Sequence, residues 1–189
     1  MITGYLVRHG KTQANTRGIS QGAIDFPLTE EGRLHARNLG ERLLGLTIGK
    51  IITSDLGRAQ ESAKIINSYL NVQIFIDKLI REISYGKYDG KPDEELIREN
   101  PNYRSLLYQF PGGESPNMLL DRVSQFFSNF ERNYGNEPFL LVSHSGAIKA
   151  MMLIVGALQE HEFYVRKVPY ECIGRIKINN GNLSSFEFV

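Results

Sequence analysis

The sequence has one cysteine, Cys172, so it cannot form an intramolecular disulfide, and a reducing compartment is the expected setting. Neither sign of charge is in excess. Lys and Arg number 22 against 21 Asp and Glu, a formal net charge of +1, which gives no electrostatic reason to expect nucleic acid or an anionic membrane as partner. A local basic pocket remains compatible with that balance. There is no charged leader and no long apolar segment, so neither a signal peptide nor a membrane span is expected, and the cytoplasm is the default. Internal repeats and low-complexity tracts are absent, as is any acidic or Cys/His cluster with metal-ligand spacing, so no metal and no cofactor are expected. What is present is ordinary for a globular chain. Its 189 residues, 41% hydrophobic and 23% charged, suffice for one sizeable core, and residues 1–189 are expected to form one domain.

Apolar patterning gives the expected elements. Ile2 to Val7 reads as a strand, and the polar, glycine-containing stretch from Gly10 to Phe26 as a functional loop with room for a short helix. Thr29 is a candidate helix N-cap with Glu30 and Glu31 at the positive end of the helix dipole, and Ala36, Leu39, Leu43 and Leu46 follow at helical spacing. Ile51 to Thr53 reads as a second strand. The next helix carries Ala59, Ala63, Ile66 and Leu70 on one face, and Val72 to Ile76 reads as a third strand. Strands alternating with amphipathic helices predict a parallel sheet covered on both faces. Lys78 to Gly113 is the least regular stretch, with Tyr85, Tyr88, Tyr103, Tyr108 and Phe110 set among Gly, Pro and charged residues. Residues 83–113 read either as a lid or as irregular packing. Ser115-Pro116 predicts a helix start, with Leu119, Val123, Phe126, Phe127 and Phe130 as its buried stripe. Phe139 to Val142 is a continuous apolar run, as in a strand covered on both faces, and Ala147 to Val155 a helix after it. Alternation around Asn180-Gly181 predicts an antiparallel hairpin at the end of the chain.

Chemistry-bearing residues fall where the parallel strands run out. Arg8-His9-Gly10 follows the first strand: Arg8 offers a positive fork, His9 a ring nitrogen, and Gly10 no side chain to keep a ligand from the backbone. Arg58 comes just after the second strand, Glu82 after the third and its extension, and His144 at the exit of the Phe139–Val142 strand. In a parallel sheet those exits share one edge, where α/β proteins bind ligands. Taken singly, each has a plain alternative: a solvated helix residue for Arg58, half of a surface ion pair with Arg81 for Glu82, and a satisfied core histidine for His144.

The motifs together resemble the histidine phosphatase superfamily, which includes the cofactor-dependent phosphoglycerate mutases. Arg8-His9-Gly10-Lys11-Thr12 with Asn15 resembles its signature, and Pro27-Leu28-Thr29-Glu30-Glu31-Gly32 and Ser54-Asp55-Leu56-Gly57-Arg58-Ala59 its next blocks. Ile80 to Gly86 is similar to the acid-bearing segment, Pro111-Gly112-Gly113-Glu114-Ser115 to a later helix start, and Val142-Ser143-His144-Ser145-Gly146 to the second histidine block. Lys11 stands where an acidic residue is common, His35 where glutamine is usual, and Tyr170 to Ile173 lacks the asparagine often found before the final strands.

The resemblance implies a phosphoglycerate mutase-like α/β/α sandwich with a mostly parallel sheet and an antiparallel C-terminal edge. It implies that His9 attacks phosphorus and forms a phosphohistidine. Arg8, Asn15, Arg58, His144 and Ser145 would bind the phosphoryl oxygens, with His144, when protonated, as a third cation. Glu82 would protonate the leaving alkoxide and then activate water. No metal is required on this scheme. The stretch from Gly90 to Pro111 is short, and its bases Lys91, Arg98 and Arg104 include no adjacent arginine pair, which favours a phosphomonoesterase over a mutase. A module that binds phosphate esters without catalysis is the third reading. The expected partner is a small phosphate ester of the sugar phosphate, phosphoglycerate or ribazole phosphate type. The sequence leaves open the oligomeric state and whether the scattered aromatics wall a ligand or simply pack.

Overall fold

The computed structural model describes residues 1–189. Its first half runs β1 (Ile2–Arg8), α1 (Gln13–Arg17), β2 (Ile19–Ser20), α2 (Glu30–Leu43), β3 (Lys50–Thr53), α3 (Gly57–Leu70) and β4 (Gln73–Ile76). The second half runs β5 (Lys91–Pro92), α4 (Asp93–Glu99), α5 (Pro116–Ser128), α6 (Phe130–Tyr134), β6 (Phe139–Ser143), α7 (Ser145–Ile154), β7 (Ile173–Asn179) and β8 (Asn182–Phe188). One sheet has the strand order β4-β3-β6-β1-β7-β8. β4, β3, β6 and β1 are parallel, while β7 and β8 pair antiparallel at one edge.

Period-two alternation divides the core between the faces of this sheet. Phe139 and Leu141 of β6 point into a cluster with Leu119, Phe126 and Phe127 of α5, Phe130 of α6 and Met151 of α7. Leu140 and Val142 point the other way, onto Ala36, Leu39 and Leu43 of α2 and Ala59, Ala63 and Ile66 of α3. The result is a three-layer α/β/α sandwich. No helix is long and apolar enough to cross a membrane.

The expected caps are present: Thr29 accepts from Gly32 N, and Ser115 accepts from Met118 N with Pro116 in the first turn. At the Asn180-Gly181 turn both residues have positive φ, 49° and 71°, the conformation a two-residue hairpin of this kind demands. Several boundaries differ from expectation. α2 stops at Leu43, so Leu46 packs against the core from the following loop. Phe130 is buried as expected but opens α6, because the chain leaves the α5 helix at Asn129. α7 begins at Ser145 rather than Ala147. The irregular middle holds two short 3-10 turns, β5 and α4, and β5 pairs antiparallel with β2 from the loop after β1. Two strands of two residues each have no periodicity to read; long-range pairing alone creates them.

Candidate active site

Register explains why the two histidines meet. β1 and β6 are parallel neighbours with Arg8 opposite Ser143, so the residues that follow, His9 and His144, leave the sheet side by side. Their ring centroids lie 5.0 Å apart. His9 N donates to Ser143 O at 2.9 Å, which extends the ladder by one step. β3, on the other side of β6, delivers Arg58 in the first turn of α3. Glu82 follows β4 through the short turn at Lys78–Ile80.

His9 is 2% exposed, and its Nδ1 lies 2.7 Å from Gly10 O. A carbonyl only accepts, so Nδ1 carries the proton and Nε2 keeps the lone pair. Burial, then the charges of Arg58 and Arg8, push the His9 imidazole well below its usual range, so the ring is neutral. His144 is pushed down in the same way, by burial first and then by Arg58, His9 and Arg8. The expected third cation is therefore a neutral ring in the empty site. His144 is wholly buried, neither of its ring nitrogens has a protein partner, and it does not line the cavity.

The arginines are held from behind. Arg58 donates from Nη1 to Ile24 O (2.8 Å) and Asp25 Oδ1 (3.1 Å), and from Nη2 to Gly22 O (2.7 Å). Arg8 donates from Nη1 to Val168 O at 2.9 Å, and its guanidinium stacks 4.2 Å from the Tyr170 ring centroid. His35 stacks on the other partner of that pair, 5.4 Å from Tyr170, so it buttresses Arg8 through one ring. The 168–170 loop therefore supports the site although the expected asparagine is missing. Arg8 Nε and Arg58 Nε are both buried without a protein acceptor.

Asn15 closes α1 in a capping box: its Oδ1 accepts from Thr12 N at 3.0 Å, which leaves the amide nitrogen free for a ligand. Glu82 does not pair with Arg81, which forks onto Asp55 instead at 3.0 and 2.6 Å. Its carboxylate caps α7, accepting from Gly146 N at 3.0 Å and also from Ile83 N at 2.9 Å. A Cβ on residue 146 would stand 2.1 Å from Glu82 Oε1, so the close approach depends on glycine there.

Arg8, His9, Asn15, Arg58, Glu82 and Ser145 line one cavity of about 160 Å³. Every expected site residue except His144 is on its wall. Ser20, Gln21, Gly22 and Asp93 line it too and were not singled out from the sequence. Asp25 was also missed: it accepts from Gly57 N and Arg58 N at 2.6 and 3.2 Å and so caps α3 from a distant loop. No local pattern marks such a cap. Of the five scattered aromatics, Tyr88 and Phe110 are buried in a small cluster of their own, against which Tyr85, Tyr103 and Tyr108 pack. Only Tyr85 reaches this cavity.

A neutral imidazole with a fixed lone pair, two guanidinium groups, a free amide and a carboxyl have the chemistry to hold a tetrahedral dianion. Comparison with known proteins agrees with that chemistry. A Salmonella choleraesuis protein named probable phosphoglycerate mutase is 34% identical over 195 residues, covering 100% of this chain and 86% of its own. Bacillus stearothermophilus YhfR superposes with a TM-score of 0.86 at 29% identity, over 96% of this chain and 93% of that one. The fold is shared with the alpha-ribazole phosphatase of Shigella flexneri, with a TM-score of 0.82, 24% identity and 97% and 94% coverage. It is shared also with mycobacterial glucosyl-3-phosphoglycerate phosphatase, with a TM-score of 0.81, 21% identity and 100% and 97% coverage. The family profile of the histidine phosphatase superfamily (branch 1) matches residues 4–187, and the chain belongs to that superfamily.

Proposed function

We propose that the protein is a metal-independent phosphomonoesterase acting through a phosphohistidine on His9, with the whole chain working as one histidine phosphatase domain. The observation that carries this reading is the neutral His9 ring, its Nδ1 tied to Gly10 O, in a cavity also lined by Arg8, Arg58, Asn15 and Glu82. His9 Nε2 attacks phosphorus as the P–O bond to the alcohol breaks. Glu82 delivers a proton to the departing oxygen, which would otherwise leave as an alkoxide. Water then gives a proton to the Glu82 carboxylate and attacks phosphorus; the P–N bond breaks, and inorganic phosphate leaves. Arg8, Arg58, Asn15 and Ser145 hold the equatorial oxygens on this reading, with the buried ring of His144 beside His9. Negative charge on the bound phosphoryl group favours protonation of His144, so the cation forms when the substrate arrives. Segment 83–113 closes the leaving-group side, tied across the mouth by the β2–β5 pair.

Phosphate release from a panel of alkyl phosphomonoesters, assayed without added metal, tests the reaction. Acid-labile, base-stable phosphate on His9 should appear in rapidly quenched protein. Arg58→Ala should lower turnover by roughly 10²–10³, and Glu82→Gln by about 10²–10⁴. Near-wild-type turnover in either variant sinks the assignment. A phosphoglycerate mutase is the second reading, favoured by the name of the 34% identical relative. Isomerisation of 3-phosphoglycerate in the presence of a bisphosphoglycerate primer, in place of phosphate release, would establish it.

A further inference from the structure

The phosphate cavity does not end at its own wall. Ser20, Tyr85 and Asp93 line it and also line a second cavity of about 210 Å³, whose other walls are Leu96, Ile97, Tyr103 and Tyr164. Shared walls make the two spaces a cleft with a cationic end and an apolar annexe. The annexe is large enough for a ring, since an apolar cavity of about 150 Å³ admits benzene.

Its surface chemistry is selective. The Tyr103 and Tyr164 rings meet edge to face at 5.1 Å, and Tyr164 packs in the same way on Phe163, so the aromatic wall is braced. The Tyr164 hydroxyl is buried without a partner, and burial raises its pKa, so it remains a donor. No lysine or arginine lines the annexe: Arg104 is bonded to the Tyr103 hydroxyl but is not on this wall, and the Lys149 ammonium rests over the Phe163 ring. The one carboxylate is Asp93, at the junction of the two spaces, where it accepts from the Ser20 hydroxyl. A hydroxyl on the substrate finds an acceptor there. A second anionic group finds a like charge and no cation, in a partly desolvated place where an unpaired charge is costly.

We propose that the annexe holds the alcohol half of the substrate, and that the substrate is a monoester of an uncharged, ring-bearing alcohol with no second anionic group. Asp93 is the residue that selects against the extra anion. This inference rests on the phosphomonoesterase reading of the adjoining cavity.

Benzyl phosphate, ethyl phosphate and 3-phosphoglycerate test it, because all three present an alkoxide leaving group to Glu82. Burial of the ring should raise kcat/KM for benzyl over ethyl phosphate by about 10- to 100-fold, and 3-phosphoglycerate should be the poorest of the three. Ile97 is 47% exposed, so Ile97→Asp can enter the annexe wall without disturbing a core. It should lower the benzyl-to-ethyl ratio by roughly 10-fold, and Asp93→Asn should raise the 3-phosphoglycerate-to-ethyl ratio. Dissociation constants of the same esters for His9→Ala protein, from calorimetry, give a readout that needs no turnover. Equal affinity and equal kcat/KM for benzyl and ethyl phosphate, or preference for 3-phosphoglycerate in both, overturns the annexe proposal while leaving the hydrolase intact. Tightest binding of benzyl phosphate with no phosphate released from any ester supports the annexe and overturns the hydrolase.

Discussion

Two buried imidazoles beside one buried and one half-buried arginine set the pH response of this cavity. His9 and His144 are both held well below the 6.5 of a free imidazole, first by burial and then by positive neighbours. Their folded-state pKa values are therefore lower than their unfolded ones. Above pH 6.5 both rings are neutral in either state and stability is complete. As pH falls below 6.5 the unfolded chain takes up protons that the folded chain refuses, and stability declines until the folded-state pKa is reached. The steepest loss is about 1.4 kcal/mol per pH unit for each ring. Chemical denaturation of ligand-free protein between pH 7.5 and 5 should show this decline, and His144→Asn should reduce its slope. An unchanged unfolding midpoint across that range would contradict the neutral pair. Residue types at strand exits made His9 and His144 legible in the sequence. Their charge state was not legible, because it depends on groups brought from β3 and on burial by three layers.

At the level of elements, the segment that carries Glu82 is held in place by an arginine of α5. Arg122 of α5 donates to Leu79 O, Arg81 O and Glu82 O at 2.8–2.9 Å, so it holds the backbone on which Glu82 sits. Its other donors fork onto Glu114 at 2.7 and 2.9 Å, and Glu114 accepts from Ser84 N at 3.0 Å. Burial alone would raise the Glu114 carboxyl, but the Arg122 hydrogen bonds and charge outweigh it and hold the group below the usual range. Removing one partner of such a pair leaves a poorly hydrated charge, so Arg122→Ala should cost about 3–5 kcal/mol of stability. A slack 79–84 segment should also lower kcat on alkyl esters, which need a proton from Glu82. Turnover of 4-nitrophenyl phosphate, whose leaving group needs none, should fall much less in the same preparation. Equal losses on both substrates would mean that Arg122 is only structural. Such distant anchors also explain where sequence reading stopped. Ser115-Pro116 and Thr29 cap their helices locally and were legible; the start of α7 at Ser145 is capped by Glu82 from a distant loop. Likewise β2 and β5 exist only by pairing with each other, across about seventy intervening residues.

For the molecule as a whole, the site gathers buried donors that a bound oxyanion can satisfy. Arg8 Nε, Arg58 Nε and both nitrogens of His144 are buried without protein partners, four of the six such side-chain atoms in the protein. These residues stand around one end of the sheet, where β3 and β6 are wholly buried and cannot move away from β1 without opening both faces of the core. A tetrahedral oxyanion that binds the folded state alone should therefore stabilise the entire sandwich. At a concentration one hundred times its dissociation constant, the gain is about 2.7 kcal/mol, or roughly 5–10 °C in Tm for a chain of this size. Orthovanadate is a suitable probe, read by thermal unfolding at fixed ionic strength. Arg58→Ala and Arg8→Ala should each shift the concentration at which the rise appears to higher values by 10-fold or more, roughly the loss of one charge-assisted hydrogen bond. Ile97→Asp, in the annexe, should leave the vanadate response in place, since a bare oxyanion reaches only the cationic end. A vanadate response that survives loss of either arginine would place the oxyanion elsewhere in the molecule and remove the basis for phosphoryl transfer at His9.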